Sequence, residues 1–153
     1  MSTARPLSES DKALAKLLAQ PREVVETPQE TVLRELRSHL SRGELAEAQQ
    51  LATSLRTTTS YPSALLAIAE AQHARGDNEA AQQTLRTLQQ QVQQWGEGDS
   101  RTGYPRAYYL LEVVQAQLRV GDVAGATQTA QLITIAEYWQ RAEQALAQGQ
   151  NGG

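Results

Sequence analysis

Along most of the chain, apolar residues return every third or fourth position, and no stretch alternates convincingly at the two-residue period of a strand. Leu65, Ile68, Ala69 and Gln72 share one helical face, and Leu110, Val113, Val114 and Gln117 repeat that face further on. Three segments interrupt the runs in the same way: Arg42-Gly43-Glu44-Leu45-Ala46-Glu47-Ala48, Arg75-Gly76-Asp77-Asn78-Glu79-Ala80-Ala81 and Val120-Gly121-Asp122-Val123-Ala124-Gly125-Ala126. Each sets a glycine and then an acid between two apolar-periodic stretches, with alanine five residues after the glycine. Glycine supplies the left-handed backbone that ends one helix, and the acid caps or electrostatically favours the start of the next. The small alanine lets the two helices approach.

A second set of markers gives the helix starts: Tyr61-Pro62-Ser63-Ala64, Tyr104-Pro105-Arg106-Ala107 and, more loosely, Tyr138-Trp139-Gln140-Arg141-Ala142. Proline at the first helical position loses no hydrogen bond, because the N–H it lacks has no partner there. The pattern predicts an all-α chain with a leading helix near residues 11–18. Pairs follow at 29–41 with 45–55, 62–74 with 78–95 and 105–119 with 123–133, and a last helix covers about 135–148. The organisation expected is an N-terminal helix and linker over 1–28, a repeat domain over 29–148 and a disordered tail over 149–153. The turn glycines are 33 and then 45 residues apart. The Gly-rich stretch 96–103, expected as a flexible loop, supplies most of the extra length.

On these residues the chain resembles the tetratricopeptide repeat family from about Gln29 to Gln148, with the last helix as an unpaired cap. The likeness rests on the glycine-acid turn, the alanine five residues later, and small or aliphatic residues seven and eight positions before the glycine, Ile68 with Ala69 and Val113 with Val114. It departs from the family where large aromatics are usual, at Gln72, Leu85 and Gln117, and where Glu35 and Leu36 stand in place of a packed pair. The resemblance implies a right-handed superhelix of stacked antiparallel helix pairs, an α-solenoid.

Composition narrows the function. Apolar residues make up 40% and charged residues 20%, enough for one core, but aromatics are 5% with no Phe, so Ala and Leu must fill it. A net charge of -3 gives no basic field for a phosphate backbone, so nucleic acid is not an expected partner. Without cysteine there is no thiol catalysis, disulfide or Cys-based zinc site. His39 and His73 have no second histidine at metal-site spacing. The carboxylate pairs Glu44 with Glu47 and Glu97 with Asp99 sit at a helix start and in a loop, positions that explain them without acid-base chemistry. No metal, cofactor or catalytic residue is expected. Met1–Gln20 carries Asp11, Lys12 and Lys16 and does not read as a signal peptide, and no window is apolar enough to cross a membrane. A cytoplasmic protein without membrane insertion is the expectation.

The resemblance also implies where a partner would bind. In tetratricopeptide proteins the first helix of each pair lines a concave groove. Counting back from the turn glycines puts Leu33, Arg37 and Leu40, then Leu66, Glu70 and His73, then Tyr108, Leu111, Gln115 and Leu118, and finally Trp139 and Glu143 on that face. Leu66, Tyr108, Leu111 and Trp139 would supply apolar contacts, and Arg37, Glu70, His73 and Gln115 would orient the partner. The groove lacks the clustered cations that would clamp an acidic peptide carboxylate. The expected function is a protein- or peptide-binding adaptor or scaffold, not an enzyme. The alternative is a structural module that homo-oligomerises through its terminal helices or its glutamine-rich helix, where Gln89-Gln90-Gln91 and Gln93-Gln94 nearly adjoin.

Overall fold

The computed structural model describes residues 8–19, 26–95 and 105–151, and among these the chain forms eight α-helices and no strand. They are α1 (Glu9–Ala19), α2 (Pro28–Ser41), α3 (Leu45–Ser54), α4 (Tyr61–Ala74), α5 (Asn78–Gln93), α6 (Arg106–Arg119), α7 (Val123–Gln131) and α8 (Ala136–Asn151). Most of the expected linker and the whole stretch 96–103 lie outside the described residues. Pro28, expected at the linker's end, is instead the first residue of α2, behind a capping box in which Thr27 and Glu30 each accept from the other's backbone N–H at 3.3 Å. At the other end, α8 runs to Asn151, three residues into the stretch expected as a tail.

The three glycine turns share one geometry. Gly43, Gly76 and Gly121 have φ of 77°, 82° and 80°, the left-handed region that an L side chain enters only with strain. The acid after each glycine donates its backbone N–H to the carbonyl five residues earlier: Glu44 to His39 at 2.8 Å, Asp77 to Gln72 and Asp122 to Gln117 both at 2.9 Å. The glycine N–H reaches back three residues, giving the two bonds of a Schellman motif. Asp77 and Asp122 then cap the following helix by accepting from the Ala80 and Gly125 N–H groups at 3.2 and 2.9 Å. Glu44 makes no such cap. Its longer side chain turns back to accept from the Arg42 guanidinium and to meet His39. The alanines five residues past the glycines, Ala48, Ala81 and Ala126, are completely buried between the paired helices.

These turns pair α2 with α3, α4 with α5 and α6 with α7. Successive pairs are joined in two ways. The second helix of each pair packs on the next first helix, and the first helices also touch: α2 with α4, α4 with α6, α6 with α8. The expected α4 face of Leu65, Ile68, Ala69 and Gln72 is buried, together with Tyr61 and Ala64, and α5 buries a stripe of Ala81, Leu85, Leu88 and Val92. Helix α6 is enclosed on several sides and buries Val113 and Ala116 as well as Leu110, Val114 and Gln117.

Gln72 and Gln117 make internal polar bonds. The Thr84 hydroxyl donates to Gln72 Oε1 at 2.6 Å, and the Thr129 hydroxyl to Gln117 Oε1 at 2.7 Å. Both tie the two helices of one pair together twelve residues apart in sequence. Between pairs, Gln82 Nε2 donates to the Val120 carbonyl at 3.0 Å, and the Arg86 guanidinium meets the buried Asp122 carboxylate at 3.3 Å, so α5 grips the turn of the next pair. The remaining α5 glutamines face outward in part, with Gln89 bonded to Gln93 one turn on.

Two stability measurements follow. Thr129→Val leaves the buried Gln117 carbonyl oxygen without this donor and should cost about 1–3 kcal/mol in urea unfolding, and adding Gln117→Leu should recover most of the loss. The Glu44 carboxyl is held below its usual value of 4.5, first by the hydrogen bond from Arg42 and then by that from His39. A folded pKa below the unfolded one gives stability that is complete above the ordinary carboxylate range and lost as pH falls through the folded value. Glu44→Gln should therefore flatten the decline in unfolding midpoint on acidification from about pH 5 to about pH 3.

Candidate partner-binding groove

The first helices α2, α4 and α6 carry the expected groove residues at matching register, because each is counted from its own turn glycine. Arg37, Glu70 and Gln115 each stand six residues before that glycine, and all three side chains are exposed. Leu66 lies one turn before Glu70 and is half-buried, packed against both apolar clusters of the interior. His73, one turn beyond, is exposed, with Nδ1 2.6 Å from the Asn78 amide oxygen, a contact that a proton on Nδ1 makes a hydrogen bond.

What the stack brings together is narrower than the expected groove. Ala69, Glu70 and His73 of α4, Leu85 of α5, and Ala116, Arg119 and Val120 of α6 line a cleft of about 340 Å³. Its floor is the small apolar cluster of Ala69, Leu85, Ala116 and Val120, which also holds Ala81. The cleft exists because alanine stands on both facing helices, Ala69 and Ala116, where a longer side chain would fill the gap. Its rim is polar. Arg119 reaches across from α6 to Glu70 at 3.5 Å, with the two side chains 55% and 68% exposed, so this pair is a solvated contact worth about 0–1 kcal/mol and separates at low cost.

Arg119 was not among the expected residues. It stands two positions before its glycine, whereas Glu70 stands six before its own. The pairing depends on the stagger between α4 and α6, which repeat register does not carry. A lone arginine in the last turn of a helix signals only a favourable dipole position.

Leu111 is a correction. It was expected on the groove face and is 6% exposed, part of the main core with Leu110 and Val114. Helix α8 packs on α6, and its Gly149 approaches so closely that a β-carbon there would lie 3.2 Å from Leu118 Cδ2. The cap helix thus closes the α6 side that the first two units leave open. Trp139, in the first turn of α8, is 44% exposed, and Glu143 is exposed one turn on. Neither lines the α4–α6 cleft.

The aromatic residues divide in the same way. The Tyr109 ring stands edge-on to Trp95 at 5.4 Å and to Tyr108 at 5.1 Å, and Arg106 donates to the Gln93 and Trp95 carbonyls at 3.3 and 3.2 Å. This group staples the end of α5 to the start of α6. Tyr108 is half-buried in it, and Tyr104 lies outside the described residues. Among the described residues no three His, Cys, Asp or Glu side chains gather as a metal site, and no helix is long and apolar enough to cross a membrane.

Comparison of the chain with protein-family models, with curated proteins and with solved structures finds no match.

The assignment of Leu111 to the core is checked by its energetics. Leu111→Ala should destabilise the fold by about 2–4 kcal/mol in chemical denaturation. Arg37→Ala and Gln115→Ala, on exposed surface, should each stay within about 0.5 kcal/mol.

Proposed function

We propose that this chain is a protein- or peptide-binding adaptor, built as a tetratricopeptide-like right-handed stack of helix pairs, with the α4–α6 cleft as its principal anchoring site. The observation that carries this reading is the cleft itself: an apolar floor made by small side chains, open to solvent, under a rim that presents one acid, one guanidinium and one imidazole. A space of about 340 Å³ takes one bulky side chain together with the backbone around it. Burial of that anchor would supply most of the affinity. Glu70 would receive a cation or an N–H group from the partner, and Arg119 a carbonyl or carboxylate, once their weak mutual contact opens.

Support also comes from the neighbour relations among helices. Helices α4 and α6 each touch their own pair partner, the second helix before them and the next first helix, and α2 touches α3 and α4. Such a connection scheme leaves a side of α2 and α4 available to a ligand, which α8 partly closes at α6. Exposed Arg37, Glu70 and Gln115 stand at one repeat register on α2, α4 and α6, so a partner segment longer than the anchor would meet successive polar groups.

Selection of binders from a displayed random peptide library tests the reading. Peptides recovered on the wild-type chain should share a bulky apolar residue flanked by polar ones. Glu70→Arg, which sets two cations at the rim, should weaken them by about tenfold or more, a change of about 1.4 kcal/mol, whereas Glu47→Arg on exposed α3 should leave them unchanged. Failure to recover peptides, or recovered peptides indifferent to Glu70→Arg, would overturn the assignment.

A further inference from the structure

We infer that the N-terminal end of the stack is an interface between two copies of this chain, with α1 of each copy packed on the α2 face of the other.

The first observation is an unpartnered amphipathic helix. Ala13, Leu14, Leu17 and Leu18 fill one side of α1 at helical spacing, and Lys12 and Lys16, one turn apart, border it. Leu14, Leu17 and Leu18 are 56%, 66% and 75% exposed, and every described side chain of α1 is exposed. A helix of 11 residues does not hold its shape in water on propensity alone, since isolated helices below about 12–15 residues are marginal. Its apolar side must be buried on something for the helix to persist.

The second observation, independent of the first, is that the two ends of the stack are finished differently. At the C-terminal end α8 lies on α6 and α7, with Ala142 and Leu146 buried. At the other end α2 fully buries only Leu36, where α4 and α6 bury seven residues each. The turn register shows which face is open. Val32 and Glu35 of α2 correspond to Leu65 and Ile68 of α4, the residues that line the seam with the preceding α3. Leu65 and Ile68 are buried, Val32 is half-exposed and Glu35 is exposed. The α2 face that would meet a preceding helix therefore carries half-exposed Val32 beside exposed Glu35, with no helix on it among the described residues.

These two surfaces fit one another. One is a helix with a leucine stripe edged by lysines, and the other a helix face on which Val32 is half-exposed and an acid, Glu35, stands at a position that is isoleucine in the next unit. Lys12 and Lys16 are the only lysines in the sequence, and both border the stripe. Each copy carries one exposed stripe and one uncovered face. The stripe does not cover the face of its own copy, so two copies exchanging α1 satisfy both, and a two-fold arrangement closes without leaving a surface for further growth. This interface is separate from the α4–α6 cleft.

Sedimentation of the full chain over a concentration series tests the proposal, using wild type, Leu14→Asp/Leu17→Asp and Glu35→Lys. These positions are exposed and lie outside the α4–α6 core, so circular dichroism should show the signal of α2–α8 retained in each variant, with no more lost than the 11 residues of α1 when the dimer separates. The expected result is a wild-type dimer, a dissociation constant raised by about 100-fold or more in the leucine variant, and a smaller rise for Glu35→Lys that is relieved when Lys16→Glu is added. A wild-type monomer at every concentration would overturn the proposal, whether α1 then folds onto its own chain or takes another partner. A dimer indifferent to the leucine variant would overturn it equally, by placing the interface elsewhere.

Discussion

Three peptide units held in the left-handed region decide the course of the chain. At Gly43, Gly76 and Gly121 the backbone must reverse within four residues while keeping its last helical carbonyls bonded. Any other L-residue there would bring its β-carbon against the following carbonyl, at about 1–2 kcal/mol each. Once the reversal is made, the acid that follows caps the next helix in two of the three turns, and the alanine five residues past the glycine is driven into the seam. Turn, cap and close approach are consequences of one backbone geometry. The antiparallel pairing of α2 with α3, α4 with α5 and α6 with α7 depends on it.

The interior that these pairs enclose is made largely of Ala, Leu and Val, and small side chains leave less dispersion and less area to hold the units together than aromatic rings would. Specific polar contacts make up part of the difference. Gln72 with Thr84 and Gln117 with Thr129 bond the members of a pair, and Gln82 with Arg86 bind α5 to the next turn. Inside the fold such bonds are strong when complete and costly when half broken, so they fix the helix register as well as adding stability. Gly125 belongs to the same device. A β-carbon there would fall 2.3 Å from Asp122 Oδ2, so glycine permits the aspartate to cap α7 and face Arg86 at once.

Small residues have a second consequence at the surface. Alanines that let α4 and α6 stack also leave the cleft under Glu70 and Arg119, so the economy of the core and the shape of the candidate site have a common origin. Helix α8 works in the opposite sense. By lying on α6 with Gly149 close to Leu118, it finishes the end of the stack and takes Leu111 into the core. The open cleft is thereby left towards the middle of the molecule.

Most local chemistry was legible in the sequence: the helical period, the three turns and the buried alanines are written in contiguous residues, and the helices fall within a few residues of their expected limits, although Pro28 starts α2 where a linker was expected and Pro105 caps α6 from just outside it. Glu70 and His73 were also legible as candidates, because register counted from a turn glycine survives into three dimensions. Arg119, the burial of Leu111 and the half-burial of Tyr108 were not. Each depends on how one helix pair slides and leans on the next, and that stagger is settled by packing between residues far apart in sequence. The glutamines at aromatic positions read in sequence as departures from a repeat pattern, and only the neighbouring threonine hydroxyls made them structural bonds. Sequence alone determined what each helix is and where it turns; tertiary structure decided which faces close and which remain open, because burial belongs to pairs of surfaces and not to a single helix.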